Sequence, residues 1–206
     1  MTDLKMLDCF CGLGGASSGF AKEGFDCTGI DIINVGYPYR FILADMHDLK
    51  GEDYRGYDVI WGSPPCRDFS NFCRVYGKRW KNPPNPEKGL ILVNRFLKFA
   101  ENAKPKIWIM ENVYHLAKHL PLNPQMTTFI TSGKKHCFWG NFPAFLMPRQ
   151  KKVLTEHDMT VPHDRRWPVV HDNKLSAWER ARIPLACSQA FARACKEALL
   201  EKELTL

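Results

Sequence analysis

Residues 4–15 read Leu-Lys-Met-Leu-Asp-Cys-Phe-Cys-Gly-Leu-Gly-Gly, an apolar run of strand length that ends in three glycines. The small and apolar residues of Ala16–Lys22 then predict a helix, which Gly24 closes. A glycine-rich turn between a strand and a helix lets a ligand approach the backbone and the helix N-terminus. The stretch therefore predicts the first unit of an α/β sheet, with either a nucleoside site or a ligand-free tight turn at its end.

Further apolar runs continue this alternation of strand and helix. They predict a helix over Glu87–Ala103 and strands over Phe25–Ile32, Phe41–Ala44, Tyr57–Trp61 and Lys106–Met110. Beyond Pro121 the pattern changes to two paired strands, Thr127–Thr131 and His136–Trp139, joined near Gly133. A final helix is predicted from Ser176, with Pro184 near its beginning. The fold class predicted is α/β, with a mostly parallel sheet that carries an antiparallel hairpin.

Length and composition favour one globular domain over residues 1–206. The chain has a mass of 23.7 kDa, with 45% apolar and 25% charged residues, which excludes a disordered or fibrous protein. No apolar stretch approaches the roughly 18–20 residues of a membrane span, so we expect no membrane contact. The first residues carry no secretion signal, and we therefore expect a cytoplasmic protein.

The cysteines indicate the state of the thiols and whether a metal site is expected, and the net charge indicates the kind of partner. Because no secretion signal is recognised, we expect the eight cysteines to stay reduced. They form no Cys-x-x-Cys pair, so we expect no metal site. The net charge of +7 and the pI near 9.0 favour a polyanionic partner, with nucleic acid as the leading candidate.

A nucleophile candidate follows the fourth predicted strand, where residues 62–70 read Gly-Ser-Pro-Pro-Cys-Arg-Asp-Phe-Ser. Two prolines fix the backbone there and present Cys66 stiffly at the edge where open α/β sheets bind ligands. A thiol is a strong nucleophile near neutral pH, and Arg67 and Arg74 would activate it if they came close. An arbitrary cysteine is more often a buried structural residue, but the two prolines favour the nucleophile.

The segment Arg67–Pro86 mixes cations with aromatic residues and ends in three prolines. Prolines at that spacing exclude a helix or a central strand, so the segment predicts a long exposed loop. Its cations suit phosphate contacts and its aromatic residues suit base stacking, although a solvated charged loop is the simpler alternative. The candidate nucleic-acid-binding residues of this segment are Arg67, Arg74, Lys78 and Arg79, to which the resemblance of Pro64–Ser70 to a known motif adds Ser70.

Three stretches together resemble one enzyme family. Asp8–Gly15, Pro64–Ser70 and Glu111–Val113 are similar, in order and spacing, to motifs I, IV and VI of the cytosine-5 DNA methyltransferases, and most of all to the small members carried by phages. The resemblance implies a Rossmann-like S-adenosylmethionine-dependent methyltransferase fold. It also implies a single catalytic domain, with a cofactor-binding and catalytic core in 1–120. Residues 121–206 would hold the hairpin, an abbreviated DNA-recognition segment and the C-terminal helix.

The catalytic residues implied by the resemblance are Cys66, Glu111 and Asn112. The Cys66 thiolate would add to carbon 6 of cytosine, which makes carbon 5 nucleophilic enough to accept a methyl group. Glu111 would contact ring nitrogen 3 and the exocyclic amine, and Asn112 would brace the loop that holds Glu111. A cytosine within duplex DNA is out of reach, so the base must be flipped into the site.

The resemblance also assigns the methyl-donor site. Its S-adenosylmethionine contacts would be Phe10, Gly12 and Gly14 of the turn, Asp31 at the ribose, Asp45 at the adenine amine, and Pro65 in the lining. Asp48 is near enough in sequence to take the place of Asp45. Ile32 and Trp61 would flank the adenine or belong to the core.

The chain departs from the family pattern in two places. The family commonly has an arginine-rich motif VIII, whereas residues 133–137 read Gly-Lys-Lys-His-Cys, so lysines or His136 would act there. Lys135 is nevertheless retained as a candidate nucleic-acid contact. The recognition region is reduced to about Ala144–Lys174, which implies either a very short target site or a protein partner that supplies target recognition.

Three other functions are compatible with parts of the sequence. An RNA cytosine-5 methyltransferase would use the same thiol, and phosphate contacts would look alike. A catalytically idle nucleic-acid-binding subunit would fit the short recognition region, but Cys66 and Glu111 argue against it. An amino-methyltransferase typically presents an aromatic residue after Pro-Pro, where this chain has Cys66.

Overall fold

A seven-stranded sheet forms the centre of the molecule in the computed structural model, which describes residues 4–69, 83–131, 134–147 and 182–204. The strand order is β3-β2-β1-β4-β5-β7-β6. The strands span Lys5–Cys9 (β1), Asp26–Asp31 (β2), Arg40–Leu43 (β3), Val59–Gly62 (β4), Ile107–Val113 (β5), Met126–Thr131 (β6) and Lys134–Gly140 (β7). The predicted strands are therefore present, with ends shifted by one to three residues.

The first five strands are parallel and the last two form an antiparallel hairpin on β5. This arrangement confirms the predicted α/β class. β5 continues past the predicted end at Met110 to Val113, because Glu111–Val113 pairs with Phe138–His136 of β7 after the neighbouring β4 has ended at Gly62. Glu111 and Asn112 are consequently held in a paired strand and not in a loop.

Three helices cover the two faces of the sheet: α1 (Gly15–Lys22), α2 (Pro86–Ala103) and α3 (Leu185–Leu204). The Asn85 side chain accepts a hydrogen bond from the Lys88 amide and begins α2 with a proline at its first position. Short 3-10 turns lie at Gly51–Tyr54, Arg67–Phe69 and Tyr114–Lys118. The connection between β3 and β4 contains no α-helix, and the first of these turns lies within it.

Each face of the sheet has its own apolar core. On one face, α1 and α3 bury Phe20, Trp61, Phe138 and Phe191, whose rings contact one another edge to face or tilted. On the other face, α2 packs its Val93, Phe96 and Phe99 against the strands, together with residues of β1, β4 and β5. The last helix therefore returns to the first, so the two ends of the described chain share one core.

Two sequence predictions are corrected. The last helix begins at Leu185, not at Ser176, since residues 182–184 are not helical and the Pro184 carbonyl accepts the amides of Cys187 and Ser188. A proline disfavours helical backbone at the residue before it, which explains the late start. The exposed loop predicted over Arg67–Pro86 is wrong at Phe69, which is only 4% exposed and packs under Gly89 of α2. Residues 70–82 of that prediction lie outside the described residues. No helix within the described segments is long and apolar enough to cross a bilayer.

Candidate active site

The described candidate residues lie at one edge of the sheet. Parallel strands place their carboxyl ends together, and β7 begins beside the end of β5 because His136 pairs with Val113. The strand order reverses between β1 and β4, which is the switch point where open α/β sheets bind ligands. Of the residues predicted to bind the methyl donor, Phe10, Gly12 and Gly14 follow β1, Asp31 ends β2, Asp45 follows β3 and Pro65 follows β4. The catalytic candidates follow β4 or lie in β5.

The turn after β1 needs its glycines. Gly12 and Gly14 have φ angles of 49° and 73°, a left-handed backbone that glycine adopts without strain, and Phe10 has a φ of 61°. Asp31 braces the turn, because its Oδ2 atom accepts a hydrogen bond from the Gly12 amide at 3.0 Å. Its Oδ1 atom accepts the Ile32 amide at 2.8 Å. The carboxylate predicted to bind ribose is therefore fixed beside the glycine turn.

A buried carboxyl group lies beneath this turn. The Oδ2 atom of Asp8 accepts hydrogen bonds from the Ser17 hydroxyl at 2.6 Å and the Ser17 amide at 3.3 Å, and thereby caps α1 from β1. The Ser17 hydroxyl also lies 2.6 Å from the Tyr37 hydroxyl. Burial raises the pKa of Asp8 to about 7, although the bonds from Ser17 act in the opposite direction. The sequence motif singled out this aspartate, but its partners Ser17 and Tyr37 were missed.

The segment after β4 presents the candidate nucleophile. Pro64 is buried, whereas Pro65 and Cys66 are exposed. The other six cysteines in the described parts of the chain are buried: Cys9, Cys11, Cys27, Cys137, Cys187 and Cys195. Burial raises the pKa of each of these six thiols, to about 12 for Cys27, Cys187 and Cys195, so they stay protonated near neutral pH. Cys66 is the thiol of the described chain that solvent and substrate can reach.

Asn112 links the nucleophile segment to β5. Its Nδ2 atom donates a hydrogen bond of 2.9 Å to the Pro64 carbonyl, and its Oδ1 atom accepts the Val113 amide at 2.9 Å. Asn112 is 1% exposed, so losing either bond would leave a buried polar atom unsatisfied. The asparagine thus fixes the backbone two residues before Cys66 against the strand that carries Glu111. Glu111 itself lies in that strand and not in the loop that Asn112 was predicted to brace, so the bracing role stays a prediction.

Glu111 is paired with His136. The Oε1 atom of Glu111 lies 2.5 Å from Nδ1 of His136, and the two side chains are 10% and 14% exposed. Glu111 pairs with Phe138 in the strand register, so His136 is its diagonal neighbour on the same face. The sequence named His136 as a stand-in for an arginine but did not predict this contact, because the contact depends on the register of β5 and β7.

Three other predicted site residues, Asp45, Arg67 and Lys135, are exposed at the same edge of the sheet. Asp45 is exposed just beyond the end of β3, and Arg67 is exposed directly after Cys66. Lys135 is exposed at the start of β7, with its Nζ atom 4.5 Å from the centre of the Tyr114 ring. Four predicted nucleic-acid contacts lie outside the described residues: Ser70, Arg74, Lys78 and Arg79.

The carboxylate and backbone groups at this edge of the sheet fit a nucleoside better than a metal ion. Asp31 and Asp45 offer carboxylate oxygens beside two adjacent strand ends, which suit hydroxyl and amino groups, and the turn offers a backbone without side chains at Gly12 and Gly14. Among the residues that are described, no group of three or more His, Cys, Asp or Glu side chains could hold a metal ion.

The fold and the edge together define a class of protein. A doubly wound sheet with a hairpin beyond β5 and a glycine turn after β1 is the Rossmann-like fold of methyltransferases. The family model for C-5 cytosine-specific DNA methylases matches residues 4–135, more than half of the chain. The chain therefore belongs to the C-5 cytosine-specific DNA methylase family.

Individual relatives are moderately similar. The type II methyltransferase M.HindV of Haemophilus influenzae is 31% identical over 142 residues, which cover 63% of this chain and 44% of that protein. A probable DNA (cytosine-5)-methyltransferase of Frog virus 3 is 31% identical over 117 residues, which cover 53% of each chain. The chain thus spans about a third to a half of the length of the curated relatives it matches.

Two solved structures are similar to parts of this chain. A DNA modification methyltransferase encoded within an Escherichia coli prophage has a TM-score of 0.48 at 20% identity, covering 67% of this chain and 46% of that one. The Entamoeba histolytica methyltransferase EhMeth has a TM-score of 0.49 at 16% identity, covering 74% and 58%.

Proposed function

We propose that this protein transfers a methyl group from S-adenosylmethionine to carbon 5 of a cytosine in DNA. The observation that carries the proposal is the arrangement at one sheet edge, where the exposed Cys66 follows β4 and the buried Glu111 lies in the adjacent β5. The bond from Asn112 to Pro64 connects these two strands at that point. Family membership supports the reaction class.

In the proposed reaction, the Cys66 thiolate adds to carbon 6 of the cytosine ring. The new carbon–sulfur bond pushes an electron pair of the ring to carbon 5, which then attacks an electrophilic methyl group. When bound, S-adenosylmethionine would supply that methyl group on its sulfonium and would leave as S-adenosylhomocysteine. Loss of the carbon 5 proton then releases the thiolate and restores the aromatic ring. Adjacent prolines restrict the backbone before Cys66, which keeps its sulfur aimed at one position.

Glu111 would hold ring nitrogen 3 during the addition. Hydrogen bonding or proton donation at that nitrogen withdraws electron density from carbon 6 and so favours thiolate attack. His136 contacts the Oε1 atom of the carboxyl group and fixes its orientation, which leaves Oε2 as the oxygen for the base. Burial of the pair strengthens both interactions, because nearby water does not screen them.

The donor site would lie across the ends of β1, β2 and β3. The glycine backbone at Gly12 and Gly14 allows close approach, Asp31 accepts from the ribose hydroxyls, and Asp45 accepts from the adenine amine. Phe10 and Pro65 would flank the bound donor. These elements meet β4 at the switch point, which would place the donor beside Cys66.

The target base would be flipped from a duplex, with Arg67 and Lys135 contacting the phosphates on either side of Cys66 and Glu111. We propose that a protein partner supplies part of the target recognition, because only about Ala144–Lys174 separates the predicted hairpin from the last helix in the sequence. We further propose that the protein acts in the cytoplasm of a prokaryotic or phage-infected cell. RNA remains the alternative substrate, because phosphate contacts do not distinguish it from DNA.

Methyl transfer from labelled S-adenosylmethionine tests the proposal. The full chain is incubated with duplex DNA, with single-stranded RNA, and with neither. We expect label at carbon 5 of cytosine in DNA, and at least a thousandfold less with Cys66→Ser, because a hydroxyl is a far poorer nucleophile than a thiolate. Cys195→Ser changes a buried cysteine on α3 and is the matched control.

If label were found in RNA alone, RNA would replace DNA as the proposed substrate. Unaltered labelling by Cys66→Ser would contradict the proposed mechanism. Failure of the wild-type chain to bind S-adenosylmethionine would contradict the proposal as a whole.

A further inference from the structure

One arginine on α2 holds the loop that follows β3. The Nε atom of Arg95 donates to the Met46 carbonyl at 3.0 Å, and its Nη2 atom donates to the carbonyls of His47 at 3.0 Å and Leu49 at 2.5 Å. Arg95 is half-buried, so part of this network is shielded from water. Three carbonyl oxygens from four consecutive residues thus converge on one guanidinium group, which fixes the curvature of the loop.

The same loop carries Asp45 at its start. The Oδ1 atom of Asp45 accepts the His47 amide at 2.9 Å, and its carbonyl accepts the Asp48 amide at 3.0 Å. The two amides therefore point toward Asp45, whereas the carbonyls of Met46 and His47 point toward Arg95. Because both sets of bonds involve the same peptide units, the orientation of the Asp45 carboxylate depends on the position of Arg95.

A second contact ties the end of the loop to α2. A Cβ atom added at Gly51 would lie 2.2 Å from the Phe99 carbonyl oxygen, so the backbone approaches α2 as closely as glycine permits. The Met46 side chain, 3% exposed, anchors the loop in the core that includes Val93 and Phe96. The loop is therefore held along its length by α2, and Arg95 is the polar part of that attachment.

We infer that Arg95 is a positioning residue for the methyl donor: it presets the loop so that Asp45 meets the nucleoside without first being ordered. The inference rests on the proposed function, in which Asp45 contacts the adenine amine. Binding to a preset loop avoids the entropy cost of ordering it, so the effect is on donor affinity. Lysine could not replace this arginine, since an ammonium group lacks the fixed fork of two separate N–H directions.

Donor binding to the full chain tests this inference. By titration calorimetry well below the unfolding temperature, Arg95→Met should weaken S-adenosylmethionine binding about five- to tenfold. Arg95→Lys should weaken it nearly as much. Lys98→Met is the matched control, because Lys98 lies one turn away on α2 and bonds only to Glu101 among the contacts described. Its affinity should stay within twofold of the wild type.

A double-variant cycle separates positioning from general destabilisation. Without the Asp45 carboxylate, Arg95 has nothing to position, so Arg95→Met should cost little further affinity in an Asp45→Ala background. An equal loss in both backgrounds would overturn the inference, as would unchanged affinity in Arg95→Met. In turnover assays, KM for the donor should rise while kcat changes less than twofold.

Hydrogen exchange measured without S-adenosylmethionine distinguishes a failure of this inference from a failure of the proposed function. The amides of His47 and Asp48 should exchange faster in Arg95→Met than in Lys98→Met, because their acceptor Asp45 is no longer held. Equal exchange rates of these two amides in Arg95→Met and Lys98→Met would overturn the inference, whether or not the protein binds S-adenosylmethionine. Faster exchange in a protein that binds no S-adenosylmethionine would instead overturn the proposed function, and with it the link to the donor.

Discussion

Two buried acidic side chains, Asp8 and Glu111, illustrate how neighbours decide the role of a residue. Both are under 10% exposed. Asp8 accepts hydrogen bonds from the backbone and hydroxyl of Ser17 and caps a helix, whereas Glu111 faces a titratable ring on the neighbouring strand. Asp8 lies within β1 beneath the glycine turn, whereas Glu111 lies in β5 just past the end of β4, beside the segment of Cys66.

Replacing His136 should impair catalysis more than binding. His136→Ala leaves the Glu111 carboxyl group without its orienting contact, so we expect kcat to fall tenfold or more while the Kd for S-adenosylmethionine stays within twofold. Methyl transfer under single-turnover conditions measures the first quantity, and calorimetry measures the second. Thr127→Ala, on β6, is the control for general damage to the hairpin.

The pair should also behave as a unit. Combined with Glu111→Gln, His136→Ala should cause little further loss, because the group it orients has already been changed. A fully multiplicative loss in the double variant would show that His136 acts independently of Glu111.

Asp8 should make stability depend on pH. Its pKa is raised from 3.8 to about 7 by burial, so the folded protein binds more protons than the unfolded chain between those values. The free energy of unfolding should therefore fall as pH rises through this range, by at most about 1.4 kcal/mol per pH unit. Urea unfolding at several pH values would show a flatter dependence for Asp8→Asn than for the wild type. Parallel curves for the two proteins would contradict the prediction, and exposed Asp48→Asn is the control.

At the scale of elements, α1 and α3 approach each other through small residues. A Cβ atom added at Gly19 would lie 2.3 Å from the Gln189 amide nitrogen, and one at Gly15 would lie 2.6 Å from that of Ile183. The end of α1 is also bound to α3, where Gln189, Arg193 and Lys196 all donate to Glu23. The last helix is thus fixed to the unit that carries the glycine turn.

Gly19→Ala should destabilise the protein by forcing the two helices apart. The colliding atoms belong to the α3 backbone and cannot move aside as a side chain could, so we expect a loss of about 1–3 kcal/mol. Chemical unfolding would measure this change, with Lys22→Ala on the exposed side of α1 as the control. Full stability in Gly19→Ala would mean that α3 does not pack here.

At the scale of the whole molecule, part of the positive charge lies at the edge of the sheet that carries Cys66. The net charge is +7, and the exposed cations Arg67 and Lys135 lie at the same sheet edge as Cys66. Lys5 lies at the opposite edge, since it begins β1. A nucleic acid bound over the site would therefore contact the first two cations but not the third.

Salt dependence of DNA binding should reveal this asymmetry. The logarithm of the association constant falls linearly with the logarithm of salt concentration, and each lost phosphate contact reduces the slope by about one. We expect that reduction for Lys135→Ala and none for Lys5→Ala, which makes the same change of charge. Fluorescence anisotropy with a short duplex over several salt concentrations would measure both slopes. Equal slopes for the two variants would show that DNA does not bind at this edge.

The sequence by itself determined the order of strands and helices, the glycine turn, and the candidate residues Cys66 and Asp31, whereas Glu111 became a candidate through the resemblance of its motif to the family. These features are local: hydrophobic periodicity, prolines and glycines act on neighbouring residues, so they can be recognised without coordinates. The domain organisation and the individual site roles remain predictions.

Only the tertiary structure decided which side chains meet. The contact of Glu111 with His136 spans 25 residues, and that of Arg95 with Met46 spans 49. Strand register and helix packing set these contacts, and neither is encoded in the residues next to each partner. The structure also showed Phe69 to be buried, because packing against α2 overrides the local pattern. The start of the last helix after Pro184 is different, since the restriction imposed by proline is local and could have been predicted from the sequence.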